Sequence, residues 1–232
     1  MATIDSHRTE PLPTGEESKP LWARYKHGHH FRNAEEEFDG VKLGFWLFLA
    51  TEVLLFAGIF VGYFIFRMMH PEAWANGSSY LDWRLGAANT VVLLLSSYTM
   101  AASIHYIQKN ERAKAHLNLL LTIAAGAFFI IVKFAFEYYP KWSAGKAPGI
   151  FFNYPYSTDP YEPLWWTIYY CGTALHALHV VIGMILIFRV YLNSRKGMYG
   201  PTYYTGVEIA GLYWHLVDLI WIFLFPLLYL IH

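Results

Sequence analysis

Five stretches of this 232-residue chain are long, apolar and almost free of charge, and that pattern leaves few folds open. A hydrocarbon core about 30 Å thick takes roughly 20 apolar residues of helix to cross. The first stretch runs from about Leu43 to Phe66 with Glu52 as its single charge, and the second, about 85–108, has none. The third, about 115–139, stays uncharged to Val132 and then meets Lys133 and Glu137. The fourth, about 163–189, carries His176 and His179, and the fifth, about 205–231, carries Glu208, His215 and Asp218. Any one of them could be a buried helix of a soluble protein. All five cannot, because only 15% of the residues are charged and no polar shell remains to cover them. Strands of a membrane barrel would alternate apolar and polar residues, and these do not. The expected fold is all-α: an integral membrane bundle of five transmembrane helices over residues 41–232, behind a polar tail over 1–40.

The tail (MATIDSHRTEPLPTGEESKPLWARYKHGHH) mixes charges and prolines and lacks the short apolar core of a secretory signal. Its His27, His29 and His30 read as a solvated tract, with adventitious metal binding as the alternative. Lysines and arginines give the orientation. One side holds Arg24, Lys26, Arg32, Lys42, Lys109, Arg112, Lys114, Arg189, Arg195 and Lys196, against Arg67, Arg84, Lys141 and Lys146 on the other. That bias predicts a cytoplasmic N-terminus and an external C-terminus. A formal net charge of zero, with no basic stripe, argues against a nucleic-acid partner. The lone Cys171 can form neither an internal disulfide nor a thiolate cluster.

Ionisable groups at membrane depth are costly, so each is a candidate for function. At about 1.5 Å per residue, Glu52 lies roughly 14 Å and His215 roughly 15 Å from the cytoplasmic start of their helices, with His176 about 18 Å along from the opposite side. These depths place the three in one layer near the midplane. Gly172, His176, His179 and Gly183 share a face of the fourth helix, and Glu208, Gly211, His215 and Asp218 share one of the fifth, flanked by Trp214 and Trp221. Three readings follow. The histidines could ligate metal or haem, Glu52 could relay protons, or the groups could satisfy one another and pin the helices together. Lys133 and Glu137, at i and i+4, read as an ion pair near the external interface. His105 and His116 read as surface residues at the cytoplasmic side.

Five segments then carry a resemblance. KLGFWLFLATEVLLFAGIFVGYF, ANTVVLLLSS, FEYY at 136–139, YYCGTALHALHVVIG and GVEIAGLYWHLVDLIWIFLFPLLYL occur in that order across about residues 40–232. Together they resemble subunit III of the haem–copper oxidases, cytochrome c oxidase above all. The resemblance implies a subunit with no catalytic, haem or copper site of its own, since those centres belong to subunits I and II. It implies direct packing on subunit I, contact with subunit II, small subunits or a respiratory supercomplex, and support of proton uptake in a complex that reduces oxygen to water and pumps protons. Glu52 matches the family's membrane-embedded, carbodiimide-reactive glutamate, and Glu52 with Arg189 matches positions that hold phospholipid headgroups in the mitochondrial form. His176, His179, Glu208, His215 and Asp218 match buried polar positions. The mitochondrial form has two further helices ahead of these five, so the five-helix form implies a bacterial plasma membrane and a changed lipid setting. A quinol oxidase subunit III and a relative that accompanies nitric oxide reductases share the pattern. An independent membrane haem or metal protein is the alternative of another class.

Overall fold

The computed structural model describes residues 20–25, 28 and 31–231, and the tail histidines His27, His29 and His30 lie outside them. Helix α1 spans Ala34–Met69, α2 Pro71–Ser79, α3 Trp83–Gln108 and α4 Arg112–Val132. A π-helical turn, Lys133–Tyr138, leads into the short α5, Tyr139–Ser143; α6 spans Glu162–Arg195 and α7 Thr205–Tyr229. Five segments are long and apolar enough to cross a membrane: Glu35–Met69, Trp83–Gln108, Arg112–Ser143, Glu162–Arg195 and Thr205–Tyr229. Among the described residues there is no named strand, and the five-helix bundle stands.

The first helix starts nine residues before its apolar run. Asn33 caps it, its side chain accepting from the Glu36 N–H at 2.7 Å, while Glu36 accepts from the Arg32 N–H at 2.9 Å. Glu35, Glu36 and Glu37 in the first turn suit the positive end of the helix dipole. The resulting helix of 36 residues is about 54 Å long, well beyond the hydrocarbon thickness.

Helices α3 and α7 pack against each other antiparallel. Trp214 Nε1 donates to Ser96 Oγ and Trp221 Nε1 to Thr90 Oγ1, both at 3.0 Å, so seven residues down α7 match six back along α3. The α3–α4 hairpin turns at Asn110, whose φ of 58° is in the left-handed region that asparagine tolerates. Inside it, Thr99 and Thr122 hydroxyls meet at 2.7 Å. Close packing round Trp214 depends on two missing side chains. A Cβ on Gly126 would fall 2.7 Å from the indole and one on Gly183 2.8 Å. Such small residues give membrane helices the close approach that apolar lipid cannot drive.

Helix α1 is the loosely held member. Its buried apolar residues, Leu49, Phe56 and Tyr63, recur every seven positions and form one narrow stripe. Beside that stripe, an apolar groove of about 500 Å³ between α1 and α7 is lined by Phe56, Phe60, Phe223 and Leu227. A second stretch of about 610 Å³, lined by Trp46, Leu49, Leu212 and His215, shares Val53, Leu216 and Leu219 with the first. One continuous groove therefore follows α1.

Candidate functional site

Three polar ties at three depths fasten α1 to the bundle. Lys42 Nζ meets Glu208 Oε1 of α7 at 2.5 Å. Glu52 Oε2 and His179 Nε2 of α6 lie 2.8 Å apart, and His179 Nδ1 is 2.7 Å from the Leu175 carbonyl. That second contact fixes the ring: Nδ1 carries a proton to donate to the carbonyl, which turns Nε2 toward the Glu52 carboxyl group. Tyr63 OH donates to the Leu227 carbonyl. The ties are ten and eleven residues apart, about 15 and 17 Å along α1.

Asp218 and His215 of α7 converge on one hydroxyl of α3. Ser97 Oγ donates to Asp218 Oδ2 at 2.6 Å and lies 3.0 Å from His215 Nδ1. His176 stands apart from both groups. It is wholly buried, packed face to face with Trp221 at 5.1 Å and edge-on to Phe129 at 5.4 Å, and neither ring nitrogen meets a protein hydrogen-bond partner. Glu52, His176 and His215, which share a layer by depth, are therefore divided, with His179, Glu208 and Asp218, among separate groups. Glu52 joins His179, Glu208 joins Lys42, and His215 joins Asp218 through Ser97. Depth and helical face set which groups can meet, but rotation and tilt of the packed helices choose the partners.

The Lys133–Glu137 pair forms and is buried within the bundle. Lys133 Nζ donates to Glu137 Oε2 at 2.6 Å, to Tyr229 OH at 2.5 Å and to Tyr169 OH at 3.2 Å, which uses its three protons. Tyr169 OH donates in turn to Glu137 Oε2 at 2.7 Å, and Tyr229 OH donates to the same oxygen. Trp221, Tyr169 and Tyr229 present their rings to the ammonium at 5.1, 4.9 and 5.1 Å. The π-helical turn aligns the pair. Tyr139 N–H reaches back five residues to the Phe134 carbonyl, and Pro140 has no N–H to offer. The result is a sealed, mutually satisfied box that joins α4, α6 and α7.

Arg189 is exposed on α6, ten residues past His179, or about 15 Å along the helix. His105 is exposed, whereas His116 is partly buried with Nε2 3.0 Å from Ser194 Oγ. Among the described residues, no three His, Cys, Asp or Glu side chains converge in a way that could hold a metal ion.

Sequence reasoning missed Lys42, Ser97, Tyr169 and Tyr229 as members of these groups. Lys42 was legible as the first charge before the apolar run. The other three carry no spacing signal, because their partners lie on other helices.

The family model described as "Cytochrome c oxidase subunit III" matches residues 23–232. The chain is 32% identical to cytochrome c oxidase subunit 3 of Synechocystis sp. over 99% of this chain and 92% of the relative. It is 34% identical to that of Thermostichus vulcanus, over 86% and 91%. The carp Cyprinus carpio subunit 3 is 30% identical over 87% of this chain and 72% of its own. With the five spans and the polar contacts between them, these matches show that the chain belongs to the cytochrome c oxidase subunit III family and is a subunit of a haem–copper terminal oxidase.

Proposed function

We propose that this subunit holds no redox centre and serves the complex by packing beside subunit I, stabilising it and supporting proton uptake. The observation that carries this reading is how the ionisable side chains within the membrane are used. Glu52, Lys133, Glu137, His179, Glu208, His215 and Asp218 all make internal contacts within 3.0 Å. Groups already committed to one another fasten helices, and a ligand set needs free, convergent donors. His176 is the exception, unpartnered but packed between Trp221 and Phe129, with no ligand set converging on it among the described residues. Haems and copper then belong to partner subunits.

Further readings go with it. The lysine and arginine bias supports a cytoplasmic N-terminus and an external C-terminus. The names of the relatives support cytochrome c over quinol as the donor of the complex. The five-helix form supports residence in a bacterial plasma membrane. The groove along α1 suits a phospholipid acyl chain or an apolar helix of a neighbouring subunit, with contacts to subunit II and small subunits outside it. The test is purification in mild detergent followed by identification of partners and cofactors. Recovery with the haem- and copper-bearing subunits is expected; recovery as a stable lone protein contradicts the proposal.

A further inference from the structure

The segment between α5 and α6 folds into a closed loop. At its neck, the Asn153 N–H donates to the Gly145 carbonyl at 2.9 Å, and Gly145 supplies a left-handed turn with φ of +84°. Its inner side is pinned. Lys146 Nζ lies 3.4 Å from the Tyr80 ring centroid and 4.3 Å from that of Tyr154, and Ala147 is buried. The outer side shows the reverse chemistry: at the 3₁₀ turn Gly149–Phe151, Ile150 is 94% exposed and Phe151 66%.

The depth of that tip follows from one hydrogen bond. Gly149 N–H donates to Thr167 Oγ1 at 2.9 Å. Thr167 is five residues inside α6, about 8 Å along from Glu162 and already within its apolar run. The loop therefore folds back along the helix and does not stand off into water. Its backbone is prepared for an apolar setting. The Phe151 and Phe152 N–H groups donate to the Pro148 and Gly149 carbonyls, each at 3.2 Å, and Pro148 has no N–H to satisfy. Exposed aromatic residues lie to either side in sequence, Tyr139 and Trp142 before the loop and Tyr156 after it. Tyrosine and tryptophan are the residues that favour the headgroup level.

We propose that Ile150 and Phe151 form a wedge that enters the lipid leaflet around the start of α6, so that this loop anchors the subunit in the membrane beside its five spans. Lipid is the occupant because the tip offers two apolar side chains at helix depth, with the Gly149, Phe151 and Phe152 N–H groups satisfied internally and interfacial aromatics close by in sequence.

The test uses the intact oxidase in nanodiscs whose phospholipid carries a diazirine in the middle of the acyl chain. A parallel sample is exposed to a water-soluble carbene probe, and mass spectrometry locates the adducts from both. Acyl adducts at Ile150 and Phe151 severalfold above those at Glu72, an exposed residue of α2, are expected, with the aqueous probe showing the opposite preference. Aqueous labelling of Ile150 and Phe151 equal to that of Glu72 overturns the proposal. Protection from both probes overturns it too, because a neighbouring protein then covers the tip.

Discussion

His179 of α6 and Glu52 of α1 meet at 2.8 Å, halfway between the Lys42–Glu208 contact at one end of α1 and the Tyr63–Leu227 contact at the other. Helix α1 buries only a narrow apolar stripe, and lipid is as apolar as that stripe, so the polar ties set its position. Replacing His179 with Ala removes the central one. A double-mutant cycle with Glu52→Ala, read as thermal stability of the purified complex, should give a coupling of about 0.6–1.7 kcal/mol. Additive effects would show that the contact does not fasten the helices.

Glu52→Gln keeps a group that can still hydrogen-bond to His179 while removing the charge. Initial oxygen consumption should stay near that of the parent enzyme, with faster loss of activity during prolonged turnover. Immediate arrest would instead make Glu52 an obligatory proton carrier.

The Lys133–Glu137 box should respond steeply to partial removal. Lys133→Met leaves the buried Glu137 carboxylate with only the more distant Lys141, at 3.8 Å, as its cation, and breaking a buried pair of this kind costs up to roughly 3–5 kcal/mol. Removing both charges, as Lys133→Met with Glu137→Leu, should recover much of that loss. Thermal unfolding of the two variants beside the parent checks the order, and equal loss in both would assign the effect to packing alone.

Two glycines on one face of α6 should behave differently. A methyl group on Gly183 would press on Trp214 at 2.8 Å, whereas one on Gly172 would make ordinary contact with Ile59 and Leu224 at 3.5 Å. Gly183→Ala should therefore destabilise by about 1–3 kcal/mol through overpacking. Gly172→Ala should be neutral or gain up to about 1 kcal/mol of helix propensity. Melting temperatures of the two variants make the comparison.

Much of this was legible in the sequence. Apolar run lengths are a direct measure of the bilayer, so the five spans were readable from residue order alone. The early start of α1 at Ala34 also had a signal, Asn33 followed three residues later by Glu36, hidden because the polar composition of 34–42 reads as tail. The Lys133–Glu137 spacing marked a pair, but not Tyr169 and Tyr229 closing over it from α6 and α7. The polar layer was legible as depths. Its pairing was not, since the choice of His179 over His176 for Glu52 rests on helix rotations that sequence periodicity resolves only to within a face.

The claim that this subunit holds no redox centre is tested most directly by counting haem and copper in the intact oxidase beside a His176→Ala variant. His176 is the informative position because its ring nitrogens meet no protein partner. Optical spectra and metal analysis should give the same haem and copper content per complex in both. Loss of one stoichiometric haem or copper in the variant would contradict the account.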